Sequence, residues 1–354
     1  MDAADRARKN ILEFRNVRED IIGETAVESY YDFLTKKLEI KNLPIIVCNT
    51  LEKRTSFVET YKDKFFLVFD NYIIELFHQL NKYMLQDDIA ENVESFFYKI
   101  ASEECYIRLR YEPAIYFAGQ YLNSLEKTLF EANLKDMLDP VPNYLFVQQA
   151  FLVAHELSHF WTRVSFRSQK KYINSKKNAL FNIYEYAKKN HSEVSDSLLA
   201  GIRTENIFEE CLCDSVGLVQ AIDIGTKLKN ITVADCSIAC TVALMNLCIL
   251  STMSLLVEKA SNFSYEEILN KYNLRILQLK SYTSRYLREY FSINDKKEYE
   301  DTIEDITHEW FNKIVNPILK LGLKNVNKFN SDLRSIPKDE LIEIKSVLKQ
   351  IYQS

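Results

Sequence analysis

Residues 236–257, CSIACTVALMNLCILSTMSLLV, run for 22 positions without a charged side chain. A helix of that length either crosses a bilayer or is enclosed by other helices on every side. The flanks separate the two. Asp235 and Glu258 bracket the run, no Trp or Tyr belt marks either end, and no Lys/Arg asymmetry lies nearby. Small residues and cysteines dotted through the segment suit close helix packing. The pattern favours the central helix of a helical domain, and a membrane span stays open as the alternative.

The rest of the chain fits a helical body. Six glycines and six prolines punctuate 354 residues, too few for many tight hairpins, which draw on glycine at positive φ. Hydrophobic residues at 47% and charged residues at 27% are the balance of a folded chain rather than a disordered one. A net charge of -5 gives no basic footprint for nucleic acid or for an anionic membrane surface. Seven cysteines form no framework spacing, and Met1 is followed by a charged stretch with no apolar signal region. Both features point to a reducing, cytoplasmic setting.

The expected fold class is mainly α with a small β-sheet. The first 40 residues read as helix, with a break near Gly23. Ile45–Cys48 and Phe65–Phe69 read as strands, 72–86 as helix, and Ala114–Ala118, after Pro113 and before Gly119, as a third strand. Beyond the Pro140-Val141-Pro142 step, helices are expected at 143–166, 170–190, 195–224, 234–258, 264–291, 299–320 and 337–352. The organisation expected is an N-terminal helical segment (1–42), a central domain (43–258) and a C-terminal helical region packed on it (259–354). There is no internal repeat.

Chemistry concentrates at Ala154-His155-Glu156-Leu157-Ser158-His159-Phe160, an HExxH pattern inside an apolar helix. Residues four apart project from one helix face, so both imidazoles can reach one tetrahedral metal. Glu156 sits about 100° further round, where a carboxylate can act as general base. Five histidines in the whole chain make accidental placement rare, and an unsatisfied polar triplet in an apolar helix would be costly.

A catalytic zinc needs a third protein ligand. The best source is Glu209-Glu210-Cys211-Leu212-Cys213-Asp214. On a helix Glu210, Asp214, Gly217 and Ala221 share a narrow face that offers carboxylates while letting another helix approach. Glu210 is the expected ligand, and Asp214 the acceptor for the outer nitrogen of a ligand histidine. Glu209 is the rival ligand, on a neighbouring face. Cys211 and Cys213 point to different faces and read as packing residues.

HELSH followed by Glu210-x-x-x-Asp214 resembles the gluzincin metallopeptidases, particularly the HtpX and CAAX prenyl protease type. The resemblance covers roughly residues 43–222 and implies a zincin-like core with additional helices at both ends. It implies one Zn²⁺ on His155, His159 and Glu210, with Glu156 as base and Asp214 behind a ligand. It also implies a small sheet whose edge strand pairs with an extended substrate, a place for which Phe65–Phe69 and Ala114–Ala118 are the candidates. The several membrane spans of those relatives are missing. In size and in the position of HExxH the chain also resembles the Lit-type phage-exclusion peptidases, which implies a cytosolic protein substrate.

The function expected is therefore a zinc-dependent endopeptidase acting on a protein or peptide, without nucleic acid or membrane, and open to activation by a partner. Its activity should fall in acid as protons compete with the metal. Arg203 and His191 are candidate oxyanion donors, with Tyr184, Tyr186 and His308 behind them; His78, Phe160 and Trp161 read as packing residues. The competing expectations are an inactive zincin-fold scaffold, a helical interaction protein, and a peptidase anchored by 236–257.

Overall fold

The computed structural model describes residues 26–40, 43, 45–48, 57–61, 64–85, 90–129, 141–164, 205–259 and 265–329. The elements are α1 (Ala26–Lys37), β1 (Ile45–Cys48), β2 (Phe57–Tyr61), β3 (Lys64–Asp70), α2 (Tyr72–Leu85), α3 (Ala90–Ile107), α4 (Tyr111–Leu129), α5 (Val141–Val164), α6 (Glu205–Lys229), α7 (Val233–Lys259), α8 (Tyr265–Tyr290), α9 (Ile293–Trp310), a π-helical turn (Phe311–Val315), α10 (Asn316–Lys324) and α11 (Val326–Phe329). The described residues are mainly helical, as expected. The helices expected at 170–190 and 337–352, the break near Gly23 and the start of the 195–224 helix lie outside them.

The chain divides into two compact units. One comprises Met1–His78, Pro140–Asn246 and Leu269–Glu304; the other comprises Gln79–Asp139, Leu247–Ile268 and Asp305–Ser354.

In the first unit the sheet has the order β1-β3-β2. β1 runs parallel to β3, with Ile45 opposite Leu67, and β2 runs antiparallel to it, with Val58 opposite Leu67. Leu67, Val68 and Phe69 of β3 are all buried, as befits a strand covered on both faces. β3 is thus the central strand, and its backbone groups are taken by two neighbours. The expectation that Phe65–Phe69 offers a free edge to a substrate is overturned: among the described residues the edges belong to β1 and β2.

The helix pair α5–α6 is the most extensively packed in the first unit. A Cβ built on Gly217 would lie 3.1 Å from the Phe151 carbonyl oxygen and 3.2 Å from its ring, and one on Gly225 would lie 3.1 Å from Val147 Cγ2. Small residues on α6 therefore set how closely α5 approaches. α6 ends at Lys229, and Asn230 follows with a φ of 54°, the left-handed geometry typical just past a helix C-terminus. The Ile231 amide bonds back to the Gly225 carbonyl at 3.1 Å. Thr232 then opens α7, its hydroxyl accepting from the Asp235 amide at 3.1 Å and donating to the Asp235 carboxylate at 2.7 Å, a capping exchange.

The second unit holds the α3–α4 pair, with Phe97 and Phe329 both against Phe117, at ring centroid distances of 6.2 and 4.9 Å. The Ala114–Ala118 run lies here in α4, not in a strand. Pro113 misleads because it is the third residue of the helix, inside the first turn where the missing N–H is harmless. The apolar run 236–257 lies in α7, which by length and composition could cross a membrane; 78% of its most apolar window is buried, as in a core helix.

Candidate metal centre

α5 is apolar along most of its length: Val147, Ala150, Phe151, Val153, Ala154 and Leu157 are fully buried. Into this helix the sequence sets two imidazoles one turn apart. His155 Nε2 and His159 Nε2 stand 3.1 Å from each other. At that separation two ring nitrogens are mutually satisfied only through a proton or a cation. α6 brings Glu210, whose Oε1 is 3.4 Å from His159 Nε2 and whose Oε2 is 3.6 Å from His155 Nε2.

These separations are those of a coordination shell. Ligands about 2.05 Å from a tetrahedral ion are ~3.3 Å from one another. His155, His159 and Glu210 form the group of potential metal ligands among the described residues. The donor set fits a metal ion: two imidazoles and one carboxylate converge, with the outer nitrogen of each imidazole turned to another acid.

His159 Nδ1 is 2.9 Å from Glu209 Oε1. His155 Nδ1 is 2.9 Å from Asp214 Oδ1. Carboxylates at these positions fix the tautomer and orientation of ligand histidines. The structure thus brings Glu209 to the back of His159, while Glu210 takes the place facing both rings. Cys213 interacts with His159 as well, and burial pushes its thiol up to about 11, so it is protonated. Cys211 is buried against Ile207 and Phe208.

The electrostatics of the cluster were not foreseen. Burial acts against the charge on Glu210, but hydrogen bonding to His159 and the fields of Arg275 and His155 outweigh it and hold the carboxyl well below its usual range. Asp214 is lowered in the same way: burial opposes the charge, and Arg275 overcomes it. Burial likewise disfavours a charged His159, yet its contacts with Cys213, Glu209 and Glu210 raise its pKa. The half-buried Glu156 goes the other way, burial pushing its carboxyl up while His155 and His159 pull it down. A raised pKa brings a carboxylate closer to the value a general base needs near neutrality.

Arg275, on α8, is the residue that sequence reasoning missed. It is 4% exposed. Its Nε donates to Asp214 Oδ2 at 2.8 Å, its Nη2 to Asp214 Oδ1 at 2.7 Å, and its Nη1 lies 2.8 Å from Glu210 Oε2. The signal was present in α8, where Tyr272, Arg275, Leu279 and Thr283 follow the three-to-four spacing of an inward face and are all buried. An arginine in such a stripe needs a partner of opposite charge.

The remaining sequence candidates fall elsewhere. Arg203, His191, Tyr184 and Tyr186 lie outside the described residues. His308 shares a hydrogen bond with Asn312 at 2.9 Å on an exposed surface. Phe160, next to His159, packs edge-on against Phe65 at 5.2 Å between ring centroids. No protein-family model, curated protein or solved structure matches the chain.

Proposed function

We propose that the chain is a zinc-dependent endopeptidase of the gluzincin type, acting in the cytoplasm on a protein or peptide substrate. The observation that carries this reading is the convergence of His155 Nε2, His159 Nε2 and the Glu210 carboxylate at tetrahedral spacing, from two helices. The resemblance of HELSH and Glu210-x-x-x-Asp214 to that family supports it. So does the donor set, which matches catalytic zinc sites that keep one position open.

Zinc held there supplies Lewis acidity, acidifying water and polarising a carbonyl. The chain's own residues do the rest. Glu156, beside His155 in the sequence and within the field of both histidines, takes the proton of the attacking water and delivers it to the leaving amine. Asp214 and Glu209 hold the two imidazoles in the tautomer that presents Nε2 to the ion. The low pKa of Glu210 keeps it ionised and ready to bind. For an extended substrate the docking edge is β2, since β2 packs beside α5 and β3 has no edge to give.

The test pairs metal content with cleavage. Cytoplasmic protein extract is digested with wild type and with Glu156→Gln, and new N-termini are counted by labelling and mass spectrometry. Wild type should create them, and Glu156→Gln should retain zinc while losing on the order of 10²–10⁴-fold in rate. Zinc binding without new termini from wild type would make the chain a scaffold instead.

A further inference from the structure

Arg275 touches both carboxylates that shape the candidate centre, and it does so from a third helix. Two of its nitrogens are engaged side-on by Asp214, and the third meets Glu210 Oε2. That leaves Glu210 Oε1 on the side of His159, 3.4 Å from its Nε2. Asp214 is fully buried, so its charge needs a permanent partner. Around the histidines stand four acids, Glu156, Glu209, Glu210 and Asp214, and Arg275 is the cation in direct contact with two of them. The guanidinium also lies over the Tyr272 ring, 5.5 Å from its centroid, a contact that restricts its orientation.

We infer that Arg275 is a positioning residue that builds the metal centre before an ion arrives. This rests on the metal-centre reading above. It holds Asp214 behind His155 and ties one oxygen of Glu210, so that the other stays aimed at the ligand nitrogens. Without the guanidinium the acids repel one another, and Glu210 keeps only its contacts with the two histidines while the site is metal-free. The geometry uses the fork of arginine: three N–H directions, two carboxylates, one plane. A lysine supplies the same charge from one point and can satisfy one of the two acids well. Charge alone therefore keeps the helices together, while the fork sets metal affinity.

The experiment measures zinc affinity of the purified full chain by competition with a chromophoric chelator. It adds the visible spectrum of the cobalt-loaded protein and the thermal midpoint of the metal-free protein. Arg275→Lys should fold and bind zinc 10–100-fold more weakly than wild type, with an altered cobalt spectrum. Lys280→Met, which removes an outer charge on the same helix paired with Glu304, should bind as wild type does. Should Arg275→Lys fail to fold, Arg275→Met combined with Asp214→Asn removes the cation and the acid it neutralises together, and should bind zinc at least 10-fold more weakly than Asp214→Asn alone; equal affinity of the two overturns the inference. Zinc affinity of the folded variant within 3-fold of wild type overturns the inference alone. A wild-type chain that takes up no zinc overturns the metal-centre reading and the inference with it.

Discussion

Two arginines, one in each unit, show how the same side chain can serve different ends. Arg110, in the second unit, is half-buried, and its guanidinium donates to backbone carbonyls: Val257 O at 2.6 Å, Phe329 O at 3.1 Å and Glu258 O at 3.5 Å. These acceptors lie at the ends of α7 and α11, where carbonyls have no partner within the helix and a positive charge meets the negative pole of the dipole. Arg275, in the first unit, gives all three donor positions to carboxylate side chains, and those acids in turn face two histidines. An arginine on carbonyls closes helix ends. An arginine on acids that orient imidazoles organises a site, because any positive ion added there must share its partners.

The largest effect should come from breaking the first-unit network. Asp214→Ala leaves a buried guanidinium with two of its three nitrogens unpaired and Glu210 as its remaining acid partner, and should lower unfolding free energy by about 3–5 kcal/mol in denaturant titration. A loss of about 2 kcal/mol or less would put Arg275 in the same class as Arg110. Next, Arg110→Leu removes charged donors from partly exposed carbonyls and should cost about 2 kcal/mol, with zinc affinity unchanged. A fall in zinc affinity there would erase the distinction between the two arginines.

The smallest effect sharpens the contrast between buried and exposed pairing. Asp223 meets Lys37 at 2.5 Å and Lys227 at 2.7 Å near the surface, and its pKa is lowered because these lysines outweigh the effect of burial. A depressed folded pKa contributes stability above the unfolded value of 3.8, and that contribution is lost as pH falls through the folded value. Asp223→Asn should therefore cost roughly 0.5 kcal/mol at neutral pH, and its stability should converge with that of wild type in acid. A gap that stays constant down to about pH 2 would show that the carboxylate is not the source.

Much of the α5–α6 pair was legible because helical periodicity and chemistry coincide there. His155 and His159 are four apart, Glu210 and Asp214 are four apart, and Gly217 follows on the same face. α7 was legible from its lack of charge. The errors have local causes. Ala114–Ala118 is rich in residues that suit a strand, and Pro113 looked like a strand entry when it sits in a first helical turn. β2, FVETY, mixes polar and apolar residues over five positions, too short to stand out until paired with β3. Arg275 escaped notice for a different reason. Its role depends on α8 meeting α6 across 61 residues of sequence, and a tertiary partner leaves no periodic trace beyond an arginine where an apolar residue belongs.

The most direct test is elemental analysis of the purified wild type beside His155→Ala and Glu210→Ala. One zinc per wild-type chain, lost in both variants, is the result expected. No metal in wild type, or full occupancy in Glu210→Ala, would contradict it.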